Sequence, residues 1–230
     1  MNRLAFDHLP PAMQAALDAP SGSSRVADDV EERQSRDRAD RVRAFVRCVP
    51  DTLRWAASAA PPDFATVLAD TAPHALHVLG QRATVLDVDA QCPMLVLAGA
   101  AGSGKTVVAI SRARQLVDGG RRALFVDALA LATAHRQSGF GACVALERAK
   151  NFAGVLILDD LGQDLALGPA SRVPAIELIR ARHDSGRKTI VTTGFSSVDL
   201  RRDYDHAFVR RLTEPPRAVV IRLGADAASR

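Results

Sequence analysis

The chain has 230 residues, 47% apolar and 24% charged, enough to bury a sizeable core and too apolar for a disordered chain. Aromatics are only 4%, against 41 Ala, so the core must be built from small and aliphatic side chains, which suits helices packed on a sheet and poorly suits a β-sandwich. Net charge is +4, with 27 Arg and 3 Lys; a scattered excess of that size permits an anionic partner without requiring one.

Residues 1–50 hold 8 Arg and 8 Asp or Glu, so this stretch is formally neutral and the positive excess lies in 51–230. The opening residues lack the apolar core of a secretory leader. Residues 9–19 predict a short helix entered through prolines, and Pro20 to Ser24 predicts a break. From Asp28 to Arg47 the dense mixed charge predicts either a solvated helix or a partner-binding arm, ended by Pro50. The expected organisation is a partly flexible N-terminal arm over 1–50 and a core over 51–230.

In 51–92 apolar residues recur at three- and four-residue spacing (Phe64, Val67, Leu68, Ala72, Leu76, Leu79), as an amphipathic helix or a pair of helices requires. From Met94 the pattern changes to five short apolar runs, at 94–99, 123–128, 154–160, 188–194 and 218–224. They are rich in β-branched residues and do not alternate with polar ones, which predicts strands buried on both faces. Helical segments separate them: one closes on Gly119-Gly120, one over 129–150 is broken near Gly139-Phe140-Gly141, and one runs from Pro174 to Ser185. Strands alternating with helices give a parallel sheet with right-handed crossovers. No apolar run has membrane-spanning length. Cys48, Cys92 and Cys143 form no C-x-x-C pair, which excludes a disulfide framework and argues against zinc. The expected setting is soluble, reduced and cytoplasmic, with no membrane partner.

The chemistry concentrates after the first run. Gly99-Ala100-Ala101-Gly102-Ser103-Gly104-Lys105-Thr106 fits G-x-x-x-x-G-K-[ST], with a strand before it and a helix from Thr106 after it; these residues and Val107 are the expected nucleotide-binding set. Glycines let the backbone approach a phosphate chain and adopt positive φ. Loop N–H groups then converge on phosphate oxygens at a helix N-terminus. Lys105 would reach the β- and γ-phosphates, and the Thr106 hydroxyl would face Mg²⁺. The third run ends in Asp159-Asp160. Asp159, at the carboxyl end of a buried strand, would hold the Mg²⁺ of an ATP complex through water. Asp160 could polarise an attacking water.

With these pieces, the stretch from Met94 to Asp226 resembles the AAA+ ATPases of the DnaC/IstB type, the helicase loaders and transposition helpers. The resemblance rests on GAAGSGKT (99–106), LILDDLGQD (156–164), the VTTG of 191–194 and the VRRL of 209–212. It implies a P-loop NTPase fold of AAA+ type with a five-strand parallel sheet in order 5-1-4-3-2 and no full C-terminal helical lid. It implies that Trp55-Ala56 belongs to an entry segment lying against the nucleotide base. Asp160 stands where such proteins more often have Glu. Gly194 stands where many carry a sensing Asn, which leaves Thr193 or Thr192 to take that role; Thr193 is the primary candidate. Arg211, with Arg210 second, matches an arginine that reaches a neighbouring subunit's γ-phosphate. The implied function is an ATPase that hydrolyses slowly, forms ATP-dependent homo-oligomers and acts on single- or double-stranded DNA with a replicative helicase or, alternatively, a transposase. A small P-loop kinase would need an arginine-bearing lid, and no insertion between the runs supplies one. A nucleotide-binding interaction module without hydrolysis stays open because of Asp160 and Gly194.

Overall fold

The structure is a computed structural model, and it describes residues 22–60, 63, 65–66, 85, 92–139 and 143–224. The helix expected over 9–19, most of the amphipathic repeat between 64 and 92, and Phe140-Gly141 lie outside those residues. Met1–Asp40 and Arg41–Arg230 form two compact units.

In the first unit the described residues belong to helix α1 (Gly22–Cys48). The break expected through Ser24 is therefore helical from Gly22 onward. Residues 29–38 are exposed, and Arg36 pairs with Glu32 one turn away at 2.5 Å. The exposed mixed charge is compatible with either expected reading, a solvated helix or a partner-binding arm.

The second unit opens with the last two turns of α1. Phe45 and Val49 are fully buried there, with Val42 and Val46 packed beside them. The Cys48 thiol donates to the Phe45 carbonyl (3.0 Å) and accepts from the Phe125 N–H (3.3 Å), and burial pushes its pKa up. The core thus takes in residues ahead of position 51. A short helix, α2 (Arg54–Ser58), follows.

Five strands then form one parallel sheet: β1 (Met94–Ala98), β2 (Ala123–Asp127), β3 (Val155–Leu161), β4 (Thr189–Thr193) and β5 (Ala218–Arg222). Their order is β2-β3-β4-β1-β5, the expected 5-1-4-3-2 read from the other edge. Alternate residues face opposite layers. Leu95, Leu97, Val155, Ile157 and Ile190 pack on helix α3 (Lys105–Asp118) and the residues of α2. Met94, Val96, Leu156, Leu158 and Val191 pack on the opposite layer. That layer holds α4 (Ala128–Gln137), α5 (Val144–Asn151), α6 (Val173–Asp184), α7 (Ser197–Asp203) and α8 (His206–Thr213). Each fully buried Leu or Ile in these layers contributes about 2 kcal/mol, which explains why β1, β3 and β4 lack polar alternation; the edge strand β5 departs from the expected burial on both faces, exposing Val219 and Val220.

Helix boundaries follow local chemistry. The Asp127 side chain caps α4, Asp205 caps α8, and Ser196 with Asp199 forms a capping box on α7. Pro174 sits in the first turn of α6, where its missing N–H costs nothing. Among the described residues no helix is long and apolar enough to cross a membrane.

Candidate nucleotide site

The site lies where the strands end. β1 stops at Ala98, and residues 99–104 turn the chain into α3. Gly102 and Gly104 hold φ of 77° and 82°, left-handed values that side chains disfavour, and Gly104 is the N-cap of α3. Gly99 is needed for a different reason than phosphate approach alone. A Cβ there would fall 2.0 Å from the Leu223 carbonyl oxygen, because Leu223, just past β5, donates its N–H to Ala98 at 2.7 Å. Ala100, Ala101 and Gly102 form an exposed lip, while Ser103, Lys105 and Val107 are buried. The Val107 side chain belongs to the core under α3.

Lys105 opens α3, and its ammonium donates to the Gly99 and Ala100 carbonyls at 2.9 and 2.8 Å. One residue on, Thr106 donates its hydroxyl to Asp159 Oδ1 at 2.9 Å. The same oxygen accepts from the Thr192 hydroxyl at 2.6 Å, and Thr192 in turn accepts from the Asp160 N–H at 2.9 Å. Three chain segments thus meet at one carboxylate oxygen.

A bulge creates this meeting. Leu158 pairs with Val191, but the next partners are Leu161 and Thr193. Asp159 and Asp160 together therefore oppose the single Thr192. Asp160 takes a φ of 52°, the one positive value among the described non-glycine residues. Backbone strain of this kind collects at functional sites, and Asp tolerates it better than most residues.

Asp159 is only 6% exposed. Burial raises its pKa to about 6, opposed by the Thr192 and Thr106 hydroxyls and reinforced by the nearby Asp160 and Asp127. A desolvated carboxylate with only hydroxyl partners attracts a cation.

The other expected residues lie elsewhere. Thr193 is not on the Asp159 side. Its hydroxyl donates to the Leu161 carbonyl at 2.8 Å and accepts from the Phe195 N–H at 3.1 Å, closing the ladder after the bulge. The residue against the carboxylate is Thr192, and strand parity explains it. Asp159 follows Ile157, and Thr192 follows Ile190, on the face that packs against α3, whereas Thr193 falls on the other face. There it lines a cavity of 510 Å³ with Val96, Leu200, Leu212 and Arg222, beside Gly99. Gly194 approaches the same loop, since a Cβ on it would lie 3.9 Å from the Gly99 carbonyl oxygen.

Arg211 is near the end of α8, at the sheet edge where strands begin. Its Nε lies 3.6 Å from Asp184 Oδ1, and its Nη1 donates to the Ala207 carbonyl at 3.2 Å. Asp184 has a lowered pKa, first through His183 and then through Arg211. Arg210 is exposed and lies 3.8 Å from Glu214. Neither arginine joins its own chain's loop at 99–107.

Sequence reasoning missed Arg114. This residue of α3 donates to the Ala57 and Ser58 carbonyls at 2.8 and 2.6 Å and pairs with Asp118 at 3.2 Å. It caps the open carbonyls of α2, the helix that carries half-buried Trp55, and so ties that helix to α3. Buried arginines leave no mark in hydropathy patterns.

No protein-family model matches the sequence, and no curated protein matches it. Solved structures do. The DnaC helicase loader superposes with a TM-score of 0.52 at 23% identity, over 64% of this chain and 88% of the loader. A protein described as a candidate primosome component from Streptococcus pyogenes serotype M3 gives 0.51 at 22% identity, over 64% and 80%. The chain shares the α/β fold of these structures, built on a five-strand parallel sheet. At such identities the likeness concerns architecture, and the chemistry must be argued from the residues.

Proposed function

We propose that the chain is a Mg²⁺-dependent ATPase acting in DNA replication in the manner of a helicase loader. The observation that carries this reading is the convergence of Thr106, Asp159 and Thr192 on one carboxylate oxygen beside the loop at 99–107.

Each residue has a role. The backbone of 99–107 would cradle the phosphates at the N-terminus of α3. Lys105 would exchange its two carbonyl acceptors for β- and γ-phosphate oxygens. The oxygen-only pair of Thr106 and Asp159, with Asp159 raised by burial, suits a hard divalent cation such as Mg²⁺. When bound, that cation neutralises developing phosphate charge. Asp160 would accept a proton from the attacking water, with its backbone held by Thr192. Thr192 takes the sensing place expected of Thr193, because it touches both acids. Arg211 would leave Asp184 to meet a neighbouring subunit's γ-phosphate in an ATP-dependent homo-oligomer, as an always-charged, forked group suits. The mixed-charge segment within 1–50 would bind the protein partner, a replicative helicase, in the cytoplasm, with DNA as the second partner.

Calorimetric titration with ATP and Mg²⁺, followed by turnover measured with and without single-stranded DNA, tests the reading. Lys105→Ala should weaken ATP about ten- to a hundredfold, the loss of one charge-assisted contact. Unchanged affinity in that variant would sink the assignment of the loop.

A further inference from the structure

Just past Asp160 lies a buried pair that the nucleotide site does not use. Asp164 is fully buried in the turn Gln163–Leu167. Its Oδ1 accepts from the Gly162 N–H at 3.0 Å and from the Tyr204 hydroxyl at 2.6 Å, while its Oδ2 has no hydrogen-bond partner among the described residues. Burial pushes up the pKa of Asp164 and, joined by the Asp164 bond, that of Tyr204. A half-satisfied buried carboxyl is costly to keep and calls for a reason.

The pair joins two parts of the proposed chemistry. On one side, Gly162 leaves the Asp159–Asp160 bulge with φ of 112°, packed so that a Cβ on it would lie 3.0 Å from the Phe195 ring. On the other side, Tyr204 forms the corner between α7 and α8. Its ring stacks on Phe208 of α8, with centroids 4.6 Å apart and planes 15° apart, and Arg211 lies one turn further along that helix. Two more bonds strap the same elements. Arg172 donates to the Asp203 carbonyl at 2.6 Å, and the Ser171 hydroxyl donates to the Asp164 carbonyl.

We propose that Asp164 and Tyr204 form a latch, a pair of positioning residues through which the state of the Asp159–Asp160 bulge sets the place of α8 and its Arg211. The inference rests on the nucleotide-hydrolysis reading of the site. A shift of Asp160 on phosphate binding displaces Gly162, whose N–H shares Asp164 Oδ1 with the Tyr204 hydroxyl. The hydroxyl follows that oxygen, and the stacked Tyr204–Phe208 pair carries the movement into α8.

The test uses the full chain and a non-hydrolysable ATP analogue with Mg²⁺, reading amide hydrogen exchange over 206–213 alongside analogue affinity and turnover. In the wild type, the analogue should slow exchange in 206–213. Tyr204→Phe keeps the ring stack and removes one hydroxyl. It should bind the analogue within about twofold of wild type, lose the exchange response, and show kcat about tenfold lower with KM nearly unchanged, the scale of one hydrogen bond to a charged group. Asp164→Ala should lose the response in the same way, which keeps the test open if Tyr204→Phe is unstable. Asp164→Asn retains the Oδ1 acceptor and should retain the response. A merely structural role would raise exchange equally with and without the analogue. A Tyr204→Phe that binds and responds as the wild type does overturns the latch alone. A wild type that fails to bind the analogue overturns the nucleotide reading, and the latch with it.

Discussion

Two charges are buried against the central sheet at its opposite edges. Where the strands begin, Arg182 is fully buried. Its five N–H donors meet five acceptors: Thr189 Oγ1 (2.8 Å) and the carbonyls of Ala149 (3.0 Å), Phe152 (2.8 Å), Gly154 (2.9 Å) and Lys188 (2.7 Å). Where the strands end, Asp159 is nearly as buried and has two hydroxyls on one oxygen. Burial lowers the Arg182 pKa to about 10, with help from Arg187, and raises that of Asp159 to about 6. The direction is the same in physical terms, since each charged form is disfavoured. The difference lies in the compensation. Arg182 is saturated by the protein and acts as a staple between α5, β3 and β4. Asp159 is held by two hydroxyls on one oxygen, which leaves its charged form disfavoured.

Removing the saturated charge should have the largest effect. Arg182→Leu removes a donor from four carbonyls and a hydroxyl, of which the Lys188 carbonyl keeps the Leu156 N–H and the Thr189 hydroxyl keeps the Arg187 carbonyl, so a loss of about 3–5 kcal/mol is expected. For a chain of this size that lowers Tm by on the order of 10 °C. Arg182→Lys, with three donors in place of five, should recover only part of the loss. Thermal unfolding followed by circular dichroism reads both. A Tm within 2 °C of wild type for the leucine variant, on the order of a neutral change, would break the distinction between the two charges.

Removing the uncompensated charge should do the opposite. Between pH 3.8 and about 6 the folded carboxyl of Asp159 keeps a proton that the unfolded chain has released. Stability therefore falls as pH rises through that window, and above it the full penalty remains. Asp159→Asn keeps an oxygen for the Thr106 and Thr192 hydroxyls without the charge. In the absence of nucleotide it should be more stable than wild type at pH 8, by about 1–3 kcal/mol. The advantage should shrink to nothing as pH falls from 6 to 4. With ATP and Mg²⁺ present the ranking should reverse, because only the carboxylate gains from the cation. An asparagine variant less stable than wild type at pH 8 without nucleotide would show that Asp159 is structural after all.

These two residues also mark what the sequence reveals. The parallel sheet was legible, because a doubly covered sheet fixes unbroken apolar runs, and so were the glycine turn after β1 and the place of Asp159 in β3. Arg182 was not, since a single arginine in an amphipathic helix reads as exposed. That Thr192 rather than Thr193 meets Asp159 was not legible, for a subtler reason. Side-chain parity along β3 and β4 places Asp159 and Thr192 on one face, but the bulge that sets two acids against one threonine has no sequence signature. The start of the second compact unit at Arg41 was hidden in the same way. Phe45 and Val49 are too few to form a stripe, yet both reach the core.

The smallest expected effect sharpens what kind of cost the site carries. Asp160 holds a φ of 52°, so part of the strain is in the backbone rather than in the charge. Asp160→Ala should lose about 1 kcal/mol, because a Cβ with no compensating polar group is disfavoured in the left-handed region. Asp160→Gly should stay close to wild type, since its ease at positive φ offsets the greater freedom of its unfolded chain. Asp160→Asn should also stay close, as a short amide tolerates this region. All three remove the carboxylate, so turnover should be lost alike while ATP stays bound through Lys105 and Asp159. Equal stability of the alanine and glycine variants would mean that the bulge relaxes freely, and the strain would then have no part in holding Asp160 against Thr192.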